Sequence, residues 1–156
     1  MAFIDVIKAK AKADKKRIVL PEGMDRRIWE AAVEDLTVIA TEEDVKNNTE
    51  GLNLAGINII DPVRSDKLEK YTADLAELRR MKGMTIDEAR ELLTTDYVYY
   101  ACMMLRENEA DGVVSGACHS TANTLRPALQ LVKAKPGVKL VSAFFIMVVP
   151  DCEYGA

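Results

Sequence analysis

The sequence predicts an α/β fold: a three-layer α/β/α arrangement around a mostly parallel sheet. Two observations carry this. Short apolar runs at 18–20, 37–40, 57–60, 113–114 and 140–149 alternate with segments whose apolar residues recur at helical spacing, and such alternation implies parallel strands joined by right-handed crossovers. The last run, Val141 to Val149 after Leu140, shows no polar alternation, the pattern of a strand covered on both faces.

Each element has a local reason. Phe3, Ile4, Val6 and Ile7 fall on one side of a short amphipathic helix with lysines opposite. The run 17–21 is a first strand closed by Pro21. Glu22, Gly23 and Met24 form a turn, and Asp25 caps a helix through Trp29 and Ala32 to Val33. The second strand, 37–40, follows at once, although Glu34, Asp35 and Leu36 supply no glycine or proline to stop that helix. Thr41 with Asp44 opens the next helix, and 57–60 is a third strand ending at Asp61-Pro62. A helix from about 66 to 81 closes at Lys82-Gly83. Another begins at Thr85 with Glu88 in capping-box spacing, and 96–107 is a largely buried helix whose tyrosines are core residues. The next helix runs to about Lys135, before a turn at Lys135-Pro136-Gly137.

With 156 residues, 49% hydrophobic and 29% charged, the chain has the composition of one ordinary globular domain. A net charge of −4 offers no surplus of cations for a nucleic-acid backbone. No apolar run reaches the roughly 18 residues of a membrane span, and the N-terminus has no secretory h-region, so cytoplasm is the expected location. The three cysteines Cys102, Cys118 and Cys152 are widely spaced and suggest neither a disulfide frame nor a zinc cage. His119 is the only histidine, which excludes multi-histidine metal sites and leaves acid/base chemistry to carboxylates, Cys or Lys.

The chain is organised around 111–127, DGVVSGACHSTANTLRP. A strand there gives way at Ser115-Gly116 to small polar residues, then to a helix carrying Leu125, Ala128, Leu129 and Val132. A strand, a Gly/Ser/Thr loop and a helix start make a ready oxyanion site, since unpaired N–H groups, the helix dipole and hydroxyls converge. Arg126 adds a planar fork suited to phosphate or carboxylate. The alternative is that Ser120, Thr121, Asn123 and Thr124 merely cap the helix while Arg126 pairs with a surface acid. Neither the Gly-x-x-x-x-Gly-Lys pattern nor Gly-x-Gly-x-x-Gly is present.

Several segments together resemble the N-terminal half of the phosphate acetyltransferase family, in a wider group that includes phosphate butyryltransferases. They are 18–23 with Asp25 and Arg26, then Glu77-Leu78-Arg79, then 96–99, then 111–116 continuing through His119-Ser120 to Leu125-Arg126-Pro127-Ala128, and finally 149–155. The resemblance implies a partial version of a two-domain acyltransferase fold. It also implies reversible transfer of an acetyl group between coenzyme A and inorganic phosphate through acetyl phosphate. Coenzyme A is then a substrate, no cofactor is tightly bound, no metal is required, and the assembly is a homodimer or a pairing with a complementing C-terminal half.

By the same resemblance Arg126 is a substrate-site cation, and Ser115, Gly116, Ser120, Thr121 and Thr124 supply phosphate or acyl-phosphate contacts. Arg79 is a second cleft arginine with Arg80 beside it, Cys152 lines the cleft without acting as nucleophile, and His119 is structural or supports the site from behind. No catalytic residue is carried over, because the serine, arginine and aspartate assigned to oxyanion stabilisation and thiol deprotonation lie in the family's other half. The helix before 37–40 also reads as shortened by roughly two turns. The chain is therefore expected to be part of a longer or split protein. Two alternatives stand beside acetyl transfer: a non-catalytic phosphate-binding or dimerising remnant, and a phosphate butyryltransferase. An NAD-linked dehydrogenase of similar architecture lacks its dinucleotide signature here.

Overall fold

The computed structural model describes residues 3–32, 36–142, 144, 146, 147 and 149. Four strands, β1 (Ile18–Leu20), β2 (Thr37–Ile39), β3 (Asn58–Ile60) and β4 (Gly112–Val113), form one sheet in the order β3-β2-β1-β4. Every pairing is parallel, with Val19 opposite both Thr37 and Val113, and Val38 opposite Ile59. The chain runs outward from β1 to β3 and then returns to place β4 on the free side of β1.

Alternate residues of the strands feed two separate apolar clusters, the signature of a sheet covered on both faces. Val19 and Ile39 join Leu75, Leu93, Tyr100 and Met103 in one cluster. Leu20, Val38 and Ala40 join Ile28 and Trp29 in the other. The first cluster is supplied by α4 (Leu68–Arg79), α5 (Ile86–Thr95) and α6 (Tyr97–Arg106), and the second by α2 (Arg26–Ala31), with Val45 of α3 (Glu42–Asn48) packed against it. The three layers expected from the sequence are thus present. Each large apolar side chain buried this way contributes about 1.5–3 kcal/mol.

The caps form as the spacing predicts. Asp25 accepts from the Arg27 N–H, and Thr41/Asp44 and Thr85/Glu88 make reciprocal capping boxes. Asp96 ends α5 and caps α6, whose residues Tyr97 to Met104 are all buried. The tyrosines are core residues: the Tyr71 and Tyr100 rings lie 5.2 Å apart, and the Tyr100 hydroxyl reaches the Ser65 Oγ. Gly83 ends the α4 region at φ 81°, a left-handed position that favours glycine.

Contacts divide the chain into two units, Arg17–Lys133 on the one hand and Met1–Lys16 with Ala134–Ala156 on the other. The sheet and both clusters lie wholly within the first. The second contains α1 (Phe3–Ala13), of which no residue is buried.

Two expectations need correction. The helix after the organising loop ends at Val132, not near Lys135. It consists of α7 (Thr121–Pro127) and a π-helical segment, Ala128–Val132, closed by the Lys133 N–H to the Ala128 carbonyl at 3.0 Å. The strand at 140–149 is the larger difference. Its described residues carry no strand, and Leu140, Phe144 and Met147 are more than four-fifths exposed, at 83%, 83% and 81%. An apolar run states what a segment would bury once paired, but a ladder also needs a neighbouring edge in register. The expected unbroken passage from the first helix into β2 falls on 33–35, outside the described residues.

The turn after β1 depends on a close backbone approach. A Cβ added at Gly23 would lie 2.5 Å from both the Ala40 Cβ and the Ile39 carbonyl oxygen. Gly23→Ala is expected to destabilise the protein by about 1–3 kcal/mol through overpacking, measured as a lowered denaturant midpoint at unchanged slope; an unchanged midpoint would show that β2 yields without cost.

Candidate active site

In an open parallel sheet, ligands bind beyond the strand carboxyl ends where the strand order reverses. Here that point lies between β1 and β4. Beyond β1 comes Pro21-Glu22-Gly23, and beyond β4 comes Val114-Ser115-Gly116. The Val114 N–H still bonds the Val19 carbonyl at 3.0 Å, so the two turns leave the sheet side by side. On the β1 side, the Gly23 N–H bonds the Ile39 carbonyl at 3.2 Å and the Trp29 Nε1 donates to the Gly23 carbonyl at 2.7 Å.

Glu22 is fully buried, and its carboxylate is surrounded by donors. Oε2 accepts the N–H groups of Gly116 and Ala117 at 2.8 and 2.9 Å, and Oε1 accepts those of Cys118 and His119 at 2.9 and 3.0 Å. The His119 Nδ1 lies 2.7 Å from Oε1, and the Cys118 thiol 3.4 Å. Gly116 enters this arc at φ 118°, where a side chain would be strained. A second strap runs from Arg27, which pairs with Asp25 at 2.6 Å and donates to the Ala117 carbonyl at 2.7 Å.

Burial alone pushes the Glu22 carboxyl up, because a charge loses its hydration. The backbone donors and the His119 contact outweigh that and hold it at about 2. Burial and the neighbouring Glu22 carboxylate raise the Cys118 thiol to about 11, so it is protonated and a poor nucleophile. Glu22, Cys118 and His119 are the one group among the described residues with a metal-ligand donor set. Their geometry is that of a hydrogen-bonded cluster instead. Two ligands of a tetrahedral zinc stand roughly 3.3 Å apart, wider than the 2.7 Å between Nδ1 and Oε1.

The residues expected from the sequence are distributed around this cluster. Gly116 gives its N–H to Glu22. Ser115 is half-buried, and its Oγ has no hydrogen-bond partner. Ser120 caps α7, accepting from the Asn123 N–H at 3.2 Å, and Thr124 donates back to the Ser120 carbonyl at 3.2 Å, so these two hydroxyls do the capping work of the alternative reading. Thr121 is exposed. Arg126 is exposed, and among the described residues it makes no hydrogen bond or ion pair; the surface acid of the alternative reading is not there.

Arg79 closes α4, with its Nε buried and unpartnered, beside a cleft lined by Lys82, Met84, Glu88, Leu92 and Thr95. Burial, with the nearby Asp96 carboxylate, raises the Tyr99 phenol against the opposing charges of Arg126 and Arg79. Arg80 pairs with Glu77 at 3.5 Å. Cys152 lies outside the described residues.

The loop N–H groups of Gly116 to His119, which precede the helix start expected to bind an oxyanion, hold the protein's own Glu22 carboxylate. From the sequence Glu22 reads only as a turn residue. The available signal was an acid between Pro21 and Gly23 at the carboxyl end of an apolar strand, where a buried charge must find donors.

A parallel α/β sheet whose strand order reverses between β1 and β4, with the turns after both strands joined through Glu22, defines a doubly wound α/β protein. Comparison with known proteins narrows this: the family described as phosphate acetyl/butaryl transferase matches residues 2–155, and the chain belongs to that family. It is 48% identical over 162 residues to a phosphate acetyltransferase of Thermoanaerobacterium thermosaccharolyticum, covering 99% of this chain and 49% of that protein. It is 49% identical to one from Acetivibrio thermocellus, with coverages of 99% and 48%. Among solved structures, an EutD phosphotransacetylase from Staphylococcus aureus superposes with a TM-score of 0.80 at 35% identity, over 95% of this chain and 47% of that one. The chain thus spans about half the length of each of these three proteins.

Glu22 makes stability depend on pH. Its carboxyl binds a proton near 4.5 ordinarily and near 2 in the fold, so between those values the unfolded chain holds more protons and acid favours unfolding. Its contribution is whole above about pH 4.5 and fades toward pH 2. Denaturant midpoints measured across that interval should fall with pH in the wild type and fall less steeply in Glu22→Gln.

Proposed function

We propose that this chain provides the phosphate-binding side of an active site for reversible acetyl transfer between acetyl-CoA and inorganic phosphate. The observation that carries this is Arg126, an exposed and unpaired guanidinium one helix turn beyond the switch-point loop. A free guanidinium there suits a doubly charged oxyanion. Ser115 adds a buried hydroxyl without a partner, and Arg79 a second cation with an unpaired Nε. Transfer from a thioester to phosphate needs the phosphate held against the carbonyl and donors placed where oxyanion charge develops; the arginines and Ser115 serve the first need.

Coenzyme A enters as a substrate, the relatives' names supply the acetyl group, and butyryl transfer is the nearest variation. A homodimer in the cytoplasm, or pairing with a complementing C-terminal half, completes the reading. A second reading, phosphate binding without turnover, is favoured by one observation. The carboxylate at the loop, Glu22, is committed to four backbone donors and held near 2, far below the range of an effective base at neutral pH.

Two measurements test these readings. The purified chain is mixed with acetyl phosphate and CoA, alone and with the C-terminal half of the Thermoanaerobacterium relative, and thioester absorbance is followed. Turnover only in the mixture is the expected result; none in either supports binding without catalysis. Arg126→Ala should weaken phosphate or acetyl-phosphate binding by about 1–3 kcal/mol, the worth of a charge-assisted hydrogen bond. An unchanged phosphate titration would remove Arg126 from the site.

A further inference from the structure

The contact between Glu22 and His119 does more than hold a loop. The Glu22 carboxylate is an acceptor only, and Nδ1 stands 2.7 Å from its Oε1, so the proton of this bond sits on Nδ1. In a neutral imidazole one nitrogen carries the proton and the other a lone pair. Nε2, on the far side of the ring, has no hydrogen-bond partner among the described residues, and the side chain keeps 20% of its surface exposed. Every backbone N–H from Gly116 to His119 is already committed to Glu22. The loop therefore offers an entering oxyanion no backbone donor along that arc, but it does offer one basic nitrogen.

We propose that Glu22 is a positioning residue that locks His119 in the Nδ1–H tautomer and so presents Nε2 as a hydrogen-bond acceptor for the acidic O–H of monohydrogen phosphate. The choice of phosphate rests on the acyl-transfer reading; the tautomer does not. In that reading the exposed Arg126 is the charged donor to the ligand, while His119 takes the hydrogen the ligand itself carries. A set with a donor and an acceptor distinguishes a phosphate bearing a proton from sulfate, which has none at neutral pH.

His119 is the only histidine, so its imidazole nitrogens can be read by nitrogen NMR on the uniformly labelled chain without assignment. In mildly alkaline buffer the wild type should show Nδ1 protonated and Nε2 bare, the reverse of the form free histidine prefers. Glu22→Ala should return the ring to the Nε2–H form. A wild type already in that form overturns the proposal, and this spectrum decides even should the variant fail to fold. Inorganic phosphate should then move the Nε2 resonance, and sulfate should not. Backbone resonances near Thr124 and Arg126 that shift with phosphate while Nε2 stays still would overturn the acceptor role and leave the acyl-transfer reading standing. No resonance shifting anywhere would overturn the phosphate reading, and with it the ligand part of this proposal.

Discussion

One buried carboxylate joins the two halves of the site. Glu22 follows the first strand, and the four N–H groups it accepts belong to residues 94 to 97 positions further on. Moving a carboxylate out of water is tolerable only where donors replace the lost hydration. Four backbone dipoles and an imidazole do so, and an anion so held is fixed in place. The turn after β4 is shaped around this internal anion, so its conformation does not wait for a ligand. The inner surface of the arc is filled by Glu22, so its four N–H groups are already engaged.

The rest of the fold keeps that carboxylate in register. Parallel pairing of β1 with β4 sets the two turns side by side, and the missing side chain at Gly23 lets the first turn settle against β2. At the other end of the same strand pair, Asp111 accepts the Arg17 backbone N–H at 2.9 Å and its guanidinium at 3.1 and 3.0 Å. An exposed ion pair alone is worth little; added to the ladder it pins the start of β4 to the start of β1. Two apolar clusters clamp the sheet from both faces, so the site rests on a rigid platform, as precise positioning requires.

Much of this was legible in the sequence because it is local. The capping boxes at Thr41 and Thr85, the Asp25 cap, the buried tyrosine helix and the short strands follow from residues within a few positions of one another. The features that were not legible are long-range. Nothing near Glu22 in the chain reveals that its partners lie beyond Gly112, so an acid beside a glycine passes for a turn. The apolar run at 140–149 misleads for the opposite reason, since its composition reports a need for cover and not the existence of a neighbouring strand. Among the described residues the Arg126 and Ser115 side chains have no hydrogen-bond partner, whereas Ser120 and Thr124, a few positions away, are occupied in capping. The sequence does not distinguish a hydroxyl already engaged from one left free.

Trp29 offers a last consequence. It is the single tryptophan of the chain, nearly inaccessible at 2% exposure, and its indole nitrogen is bonded to the carbonyl of the residue after Glu22. Indole emission responds to the polarity and hydrogen bonding around the ring. The protein therefore carries its own optical reporter one peptide unit from the Glu22 carboxylate, and an event that breaks the indole's bond to the turn changes the colour of its fluorescence.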